Sequence, residues 1–137
     1  EPVKGTFVNG EFTNGENIAD LGGVNISYDA LQMYIKDHGN PGMISGYSQD
    51  QRFFMSWATV WRTLQSEASL LNQIKTNEHS PGLYRAFGPL VNTDSFYKSF
   101  DVKEGDKLYM YEGGKKGALL LVASSEMDGK VQLVSKL

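Results

Sequence analysis

Cysteine is absent from this 137-residue chain, and only two histidines occur in it. Without cysteine the chain has neither disulfide bonds nor thiolate ligands for a metal. No apolar run approaches the ~20 residues that a membrane-spanning helix needs, so no membrane span is predicted. The formal net charge is −3 and no basic stripe alternates with aromatic residues, which argues against binding to nucleic acid.

The remaining composition is typical of one globular domain. Hydrophobic residues make up 40% of the sequence and charged residues 21%. A chain of 137 residues suffices to bury a core without disulfides or structural metals. It begins at Glu1-Pro2, with neither methionine nor a signal peptide. We therefore expect a processed protein or an excised part of a longer one, and the sequence does not decide between them.

The longest predicted helix runs from about Glu16 to Lys36, with Gly39 as its C-terminal cap. Its apolar residues recur at steps of three and four, which is typical of a helix with one buried face. Gly22 and Gly23 lie inside it, although each glycine costs a helix roughly 1 kcal/mol relative to alanine. We therefore expect a close backbone approach there, by a neighbouring helix or by a metal site. The buried stripe comprises Leu21, Val24, Tyr28, Leu31 and Ile35.

A second helix is predicted to start at Ser48, because Ser48 and Gln51 have the spacing of a capping box. Shorter helices are predicted over 67–75 and, capped by Thr93, over 94–100. The stretch 76–92 is rich in glycine and proline and is predicted to be a loop. The body of the chain is therefore predicted to be helices packed on one another. The apolar stripe of the second helix comprises Phe53, Trp57, Val60 or Trp61, and Leu64.

Turn dipeptides predict small β elements towards both ends of the chain. Asn9-Gly10 is predicted to close a short N-terminal hairpin. Asp128-Gly129 lies between the apolar runs 118–123 and 130–134 and predicts a C-terminal β-hairpin. A charged, glycine-rich connector over 111–117 precedes that hairpin. The predicted fold class is mainly α with small β elements (α+β).

Glu16 and Asp20 are candidate site residues, since their four-residue spacing places both carboxylates on one face of a helix. Glu16 is suited to bind zinc, with Asp20 holding another ligand in place. The usual source of further ligands is an H-E-x-x-H motif, which does not occur in this sequence. Alternatively, both are first-turn carboxylates favoured by the helix dipole. One carboxylate and a distant histidine should not hold zinc tightly, so the sequence predicts only part of a metal site.

Four stretches carry a family resemblance. The first is N-G-E-F-T-N-G-E-N-I-A-D-L-G-G over 9–23, and the second runs from Phe-Phe to Trp over 53–61. The third begins with His-Ser-Pro and continues over 79–100, and the last is G-D-K-L-Y-M over 105–110. In this order they resemble the neprilysin and endothelin-converting-enzyme family of zinc metalloendopeptidases.

The resemblance divides the chain in two. It predicts that 1–110 is the C-terminal part of a neprilysin-like catalytic domain, and that 111–137, a connector and hairpin, lies outside it. Three family features are missing or altered. The H-E-x-x-H helix is absent, as is the upstream Asn-Ala-aromatic strand that binds the substrate backbone. Asn77 stands where family members commonly carry aspartate.

The resemblance implies a role for each candidate residue. Glu16 would be the third zinc ligand, and Asp20 the carboxylate that orients a ligand histidine. His79 would stabilise the oxyanion formed when water attacks the scissile carbonyl, and Arg85 would bind a substrate carbonyl. Zinc in the complete enzyme would polarise the scissile carbonyl. Without the resemblance, His79 is simply a loop residue and Arg85 a surface cation in a weak ion pair.

Three hypotheses follow. The leading one is a C-terminal fragment of a zinc endopeptidase that is inactive alone, with a peptide substrate and the missing N-terminal part of the catalytic domain as partners. The alternative is a non-catalytic peptide- or protein-binding module derived from such a peptidase. The third is an interaction fragment whose exposed helix faces self-associate or bind the missing part. The resemblance favours a bacterial cell-envelope or secreted location, although some family members are cytoplasmic.

Overall fold

The computed structural model describes residues 1–110, and the predicted C-terminal hairpin lies outside these residues. The described part is mainly helical, as predicted. Its β structure consists of two isolated bridges, between Val3 and Thr6 and between Ile44 and Tyr47, so the predicted β elements are not confirmed. The elements are α1 (Gly10–His38), α2 (Gln49–Val60), α3 (Glu67–Thr76), α4 (Gly82–Phe87), a 3-10 helix (Leu90–Asn92) and α5 (Asp94–Phe100).

The N-terminal hairpin prediction is wrong, because Asn9 begins a helix. Its side chain accepts a hydrogen bond from the Phe12 N–H at 3.2 Å, so Asn9 caps α1. The helix therefore starts six residues earlier than Glu16, the start predicted from the sequence. At the other end the predicted cap at Gly39 is confirmed, and the helix ends at His38, two residues beyond the predicted Lys36. Gly39 has a φ of 87°, and its N–H donates to Ile35 O at 2.8 Å.

The core lies where the inner face of α1 meets α2, α5 and the 3-10 helix. Val24 of α1 is fully buried and belongs to one cluster with Phe54, Leu90 and Phe96. Tyr28 packs against this cluster, with its ring 5.4 Å from that of Phe54. Val24 and Tyr28 of the predicted stripe therefore face the core, whereas Leu21, Leu31 and Ile35 are half-buried and lie outside this cluster.

The start of α2 confirms the capping box. The Ser48 hydroxyl accepts from the Gln51 N–H at 3.2 Å, and the Gln51 side chain accepts from the Ser48 N–H at 3.0 Å. The helix ends at Val60, so the predicted stripe is too long by one turn. Leu64 lies beyond the end of the helix and is fully exposed, and Trp61 is the more buried of the two alternatives.

The stretch predicted as a loop over 76–92 contains α4 and the 3-10 helix. Glycine and proline are compatible with both, because Pro81 and Pro89 precede the helices and no internal N–H is lost there. Gly82 lets α4 approach the end of α2 closely. A Cβ added at Gly82 would lie 2.8 Å from Trp61 O and 2.9 Å from Thr63 Oγ1.

The close backbone approach predicted at Gly22 and Gly23 is not found within the described residues. A Cβ added at either position would have no atom of another element within 4 Å. The two glycines lie on the middle of α1, which is 29 residues long. Within 1–110, none of the helices combines the length and apolar character that a membrane crossing requires.

Candidate active site

Two of the four candidate residues meet between α1 and the loop before α4. Glu16 lies in the second turn of α1, and His79 lies in the loop that follows α3. Glu16 Oε2 is 2.9 Å from His79 Nε2, and 38% of each side chain is exposed. The fold therefore brings a candidate metal ligand and a candidate oxyanion donor into direct contact at a surface that solvent reaches.

Asn77 holds the other side of the His79 ring. The His79 N–H donates to Asn77 Oδ1 at 2.8 Å, which fixes that atom as the amide oxygen, since a backbone N–H can only donate. His79 Nδ1 is 3.0 Å from the same oxygen. Each ring nitrogen thus faces an oxygen atom, so the ring is held from both sides. An N–H of this ring is the kind of donor that oxyanion stabilisation requires.

Asp20 and Arg85 form a second contact one turn further along α1. Arg85 Nε donates to Asp20 Oδ2 at 2.6 Å, and Arg85 Nη2 donates to Asp20 Oδ1 at 2.7 Å. The two side chains are 10% and 16% exposed for Asp20 and Arg85 respectively. The surface-cation interpretation of Arg85 is therefore wrong. The pair is bidentate and largely buried, which is the strong form of this interaction.

Two tryptophans also hold Arg85 in place: Trp57 in α2 and Trp61, which directly follows α2. The guanidinium carbon lies 3.8 Å from the centroid of the Trp61 ring, a cation–π contact. The Trp57 indole N–H donates to Arg85 O at 3.1 Å. From the sequence, Trp57 and, as one of two alternatives, Trp61 were predicted to lie on the apolar stripe of the second helix, and the contact with Arg85 was not predicted. The local signal was absent, because Arg85 and the tryptophans are joined only by the packing of α4 on α2.

A short hydrogen-bond chain runs beside Glu16 and His79. Ser80 Oγ donates to Asn17 Oδ1 at 2.8 Å, and Asn17 Nδ2 donates to Thr13 Oγ1 at 3.2 Å. Ser80 and Thr13 are both 3% exposed. No role was predicted for Ser80, Asn17 or Thr13 from the sequence. The available signal was their position, since Asn17 directly follows Glu16 and Ser80 directly follows His79.

An open cavity of about 340 Å³ lies beside the Asp20–Arg85 pair. Apolar side chains form much of its wall, and Tyr84 lies on one side of it. Burial raises the pKa of the Tyr84 phenol, and the nearby Glu1 carboxylate raises it further. Tyr84 therefore stays neutral at physiological pH. The apolar wall includes Phe7, Val8, Leu21, Phe87, Val91 and Met110.

The donor set fits one position of a zinc site. Among residues 1–110, no group of three or more His, Cys, Asp or Glu side chains is arranged to hold a metal ion. The Glu16 carboxylate is a suitable oxygen donor at a partly exposed site. A catalytic zinc ion needs about three protein ligands, so these residues do not form a complete site.

Comparison with known sequences gives the family. The family model described as peptidase family M13 matches residues 1–115. Over 102 residues the chain is 39% identical to human neprilysin, and this match covers 73% of this chain and 14% of human neprilysin. Over 92 residues it is 41% identical to neprilysin-11 of Caenorhabditis elegans, covering 65% of this chain and 11% of that protein. The chain thus spans about one seventh or less of these relatives.

A solved structure agrees with the sequence comparison. The zinc metalloprotease ZMP1 of Mycobacterium tuberculosis, solved in complex with an inhibitor, matches with a TM-score of 0.71 at 42% identity. The match covers 76% of this chain and 16% of that one. The same protein in its open state matches with a TM-score of 0.70. Sequence and fold together show that the chain belongs to peptidase family M13, the family of the neprilysins.

Proposed function

We propose that this chain is the C-terminal part of a zinc metallopeptidase centre and is inactive alone. It supplies Glu16 as one zinc ligand, Asp20 as the residue that orients a ligand histidine, and His79 and Arg85 as donors to the substrate. The other ligands and the general base come from a segment with an H-E-x-x-H motif, which 1–137 lacks. Peptides are the substrate class that family membership implies.

The double contact between α1 and the segment from His79 to Arg85 is the observation that supports this proposal. Glu16 meets His79, and Asp20 meets Arg85 one turn away. All four residues that the family resemblance marks are therefore assembled along one edge of α1. Two matched pairs of this kind form one wall of an active site.

The geometry suits His79 and Arg85 to hydrogen bonding with peptide carbonyls. His79 contacts Asn77 through Nδ1, so Nε2, which faces Glu16 in this structure, is the nitrogen that would donate to a substrate carbonyl. Arg85 uses Nε and Nη2 for Asp20, and the guanidinium fork has further N–H groups for a carbonyl oxygen. Because both side chains are held before substrate arrives, little entropy is lost in binding.

A chimaera tests the proposal directly. The matching C-terminal region of ZMP1 is replaced by residues 1–110, and peptide hydrolysis and bound zinc are measured. We expect a zinc-dependent peptidase, whereas the 137-residue chain alone should neither hold zinc at 1:1 nor hydrolyse peptide. Glu16→Ala in the chimaera should remove zinc and activity together, because a ligand is lost.

Glu11→Ala is the matched control, since Glu11 lies on the first turn of the same helix and is exposed. It should leave zinc content and hydrolysis unchanged. Stoichiometric zinc in the isolated chain, with turnover that a chelator abolishes, would contradict inactivity of the chain alone. Full zinc occupancy in the Glu16→Ala chimaera would contradict the assignment of Glu16 as a ligand.

The second candidate function is a peptide-binding module without catalysis. The open apolar cavity beside Arg85 favours it, because such a cavity accepts an apolar side chain whether or not zinc is present. Titration of the isolated chain with short apolar peptides tests it. Affinity should fall about tenfold in His79→Ala and in Arg85→Ala, the loss of roughly one hydrogen bond.

The controls for this titration are the chain's other histidine and an exposed arginine. His38→Ala and Arg52→Ala change residues that are exposed and lie away from the cavity. Both should bind peptide like the unmodified chain. Equal affinity in all four variants would remove the binding-module hypothesis.

A further inference from the structure

Glu16 and His79 are joined by a contact that neither residue can hold in place alone. Both side chains are more than one third exposed, and exposed ion pairs keep their geometry poorly because side-chain entropy and solvent oppose it. His79 lies in the loop between α3 and α4, where no helical hydrogen bonds hold the backbone in place. Something else must therefore fix the distance between α1 and this loop.

The hydrogen-bond chain of Ser80, Asn17 and Thr13 is placed to do so. Ser80 directly follows His79 and Asn17 directly follows Glu16, so their bond of 2.8 Å runs beside the Glu16–His79 contact. Ser80 is 3% exposed, so its bond is sheltered from competing water. Asn17 is oriented in turn by Thr13, whose hydroxyl donates to Asn9 O at 3.0 Å at the cap of α1.

The direction of each bond in this chain is determined. Thr13 Oγ1 donates to a carbonyl, so it can only accept from Asn17, and the atom of Asn17 that faces it must be Nδ2. Asn17 Oδ1 is then left to accept from Ser80. The Asn17 side-chain amide is thus held through both its nitrogen and its oxygen. The Ser80 hydroxyl, which ties the loop to α1, is held with it.

We propose that Asn17 and Ser80 are positioning residues that set the spacing between Glu16 and His79. This inference rests on the proposed function for its catalytic meaning, because the spacing matters only if Glu16 binds metal and His79 acts on substrate. Its structural content is independent of zinc. The chain of part-buried hydrogen bonds holds the loop at one distance from α1, and this sets the distance between Glu16 and His79.

Nuclear magnetic resonance of the full 137-residue chain tests the inference. With only two histidines in the sequence, ¹⁵N-histidine labelling resolves both rings, and His38 serves as an internal reference. At one fixed pH, the single substitution Glu16→Gln should shift the His79 Nε2 resonance from its position in the unmodified chain. The same change should have no effect on Nε2 in a Ser80→Ala or an Asn17→Ala background, because the contact is already lost.

Matched variants separate positioning from general loss of stability. Asn25→Ala removes a side chain that bonds Leu21 O on the same helix, and Ser99→Ala removes a hydroxyl that bonds Ser95 O. Both should retain the effect of Glu16→Gln on His79. Ser80→Thr keeps the hydroxyl and should retain it too. Ser80→Ala and Asn17→Ala are made as separate backgrounds, so either one that folds is sufficient to test the inference.

Two outcomes overturn the inference. One is an unchanged response of Nε2 to Glu16→Gln in a folded Ser80→Ala or Asn17→Ala chain. The other is a loss of that response in the Asn25→Ala or Ser99→Ala controls. Failure of the proposed function is seen elsewhere, as zinc retained by the Glu16→Ala chimaera, and leaves the resonance result unaffected.

Discussion

At the scale of single residues, the structure gives Asp20 a partner that was not predicted from the sequence. Asp20 was predicted to orient a ligand histidine, and in residues 1–110 both of its carboxylate oxygens accept from Arg85. The two roles are compatible, because each carboxylate oxygen has two acceptor positions and Arg85 occupies one on each. Asp20 is thereby held in one orientation before any histidine approaches it.

The Arg85 site predicts an unequal effect of two conservative substitutions. Arg85→Lys keeps the charge but loses the bidentate bond to Asp20 and the flat contact with Trp61. We expect a loss of about 2 kcal/mol in the free energy of unfolding, the order expected when a mostly buried pair loses its geometry. Urea unfolding followed by tryptophan fluorescence measures it.

Arg52→Lys is the matched control, since Arg52 is exposed and its guanidinium donates to Gln49 Oε1 at 2.8 Å on its own helix. Its free energy of unfolding should change by less than about 0.5 kcal/mol. Equal urea midpoints for the two variants would show that the Asp20 and Trp61 contacts do not stabilise the fold.

At the scale of elements, the glycines of this chain have opposite structural roles. Gly82 is needed because α4 meets the end of α2 there, with Trp61 O only 2.8 Å from an added Cβ. Gly22 has a helical neighbourhood with no atom of another element within 4 Å of an added Cβ. From the sequence, Gly22 was predicted to lie in a helix and Gly82 in a loop, and neither prediction shows which of the two is packed against another element.

This contrast predicts opposite signs for two glycine-to-alanine changes. Gly82→Ala should lower the melting temperature, because the backbone oxygen of Trp61 cannot move away without shifting α2. Gly22→Ala should raise the free energy of unfolding by about 0.5–1 kcal/mol, since alanine is favoured in an open helix position. Calorimetry of the two variants beside the unmodified chain measures both, and a common sign would refute this explanation.

At the scale of the whole molecule, the outer face of α1 carries apolar side chains without cover in residues 1–110. Ile26 is 72% exposed and Met33 is 66% exposed, and Gly22 lies one turn before Ile26 on the same side. Exposed apolar surface of this kind marks contact sites or promotes self-association. The hypothesis of an interaction fragment depends on this face.

The exposed face predicts concentration-dependent association of the isolated chain. Ile26→Lys should weaken self-association, because a charge would be buried on contact, while Leu64→Lys changes a fully exposed single leucine away from α1 and should not. Sedimentation velocity over a range of concentrations measures both. A strict monomer at all concentrations would remove self-association from the hypotheses.

Much of the fold follows from the sequence because the signals are local. The capping box of Ser48, the glycine cap at Gly39 and the apolar spacing of α1 each act within a few residues. The prediction of an N-terminal hairpin was wrong because it, too, rested on a local signal. Asn9-Gly10 is compatible locally with a turn and with a helix cap, and the long helix that follows decides for the cap.

The sequence by itself determined the four candidate residues and their family, since motif order is preserved along the chain. Only the tertiary structure decided their pairing, because Glu16–His79 and Asp20–Arg85 depend on how the loop and α4 pack against α1. The same packing buried Ser80 beside Asn17 and placed Trp61 over Arg85. Contacts between distant segments leave no local pattern, so their geometry is fixed by packing and not by the spacing of residues.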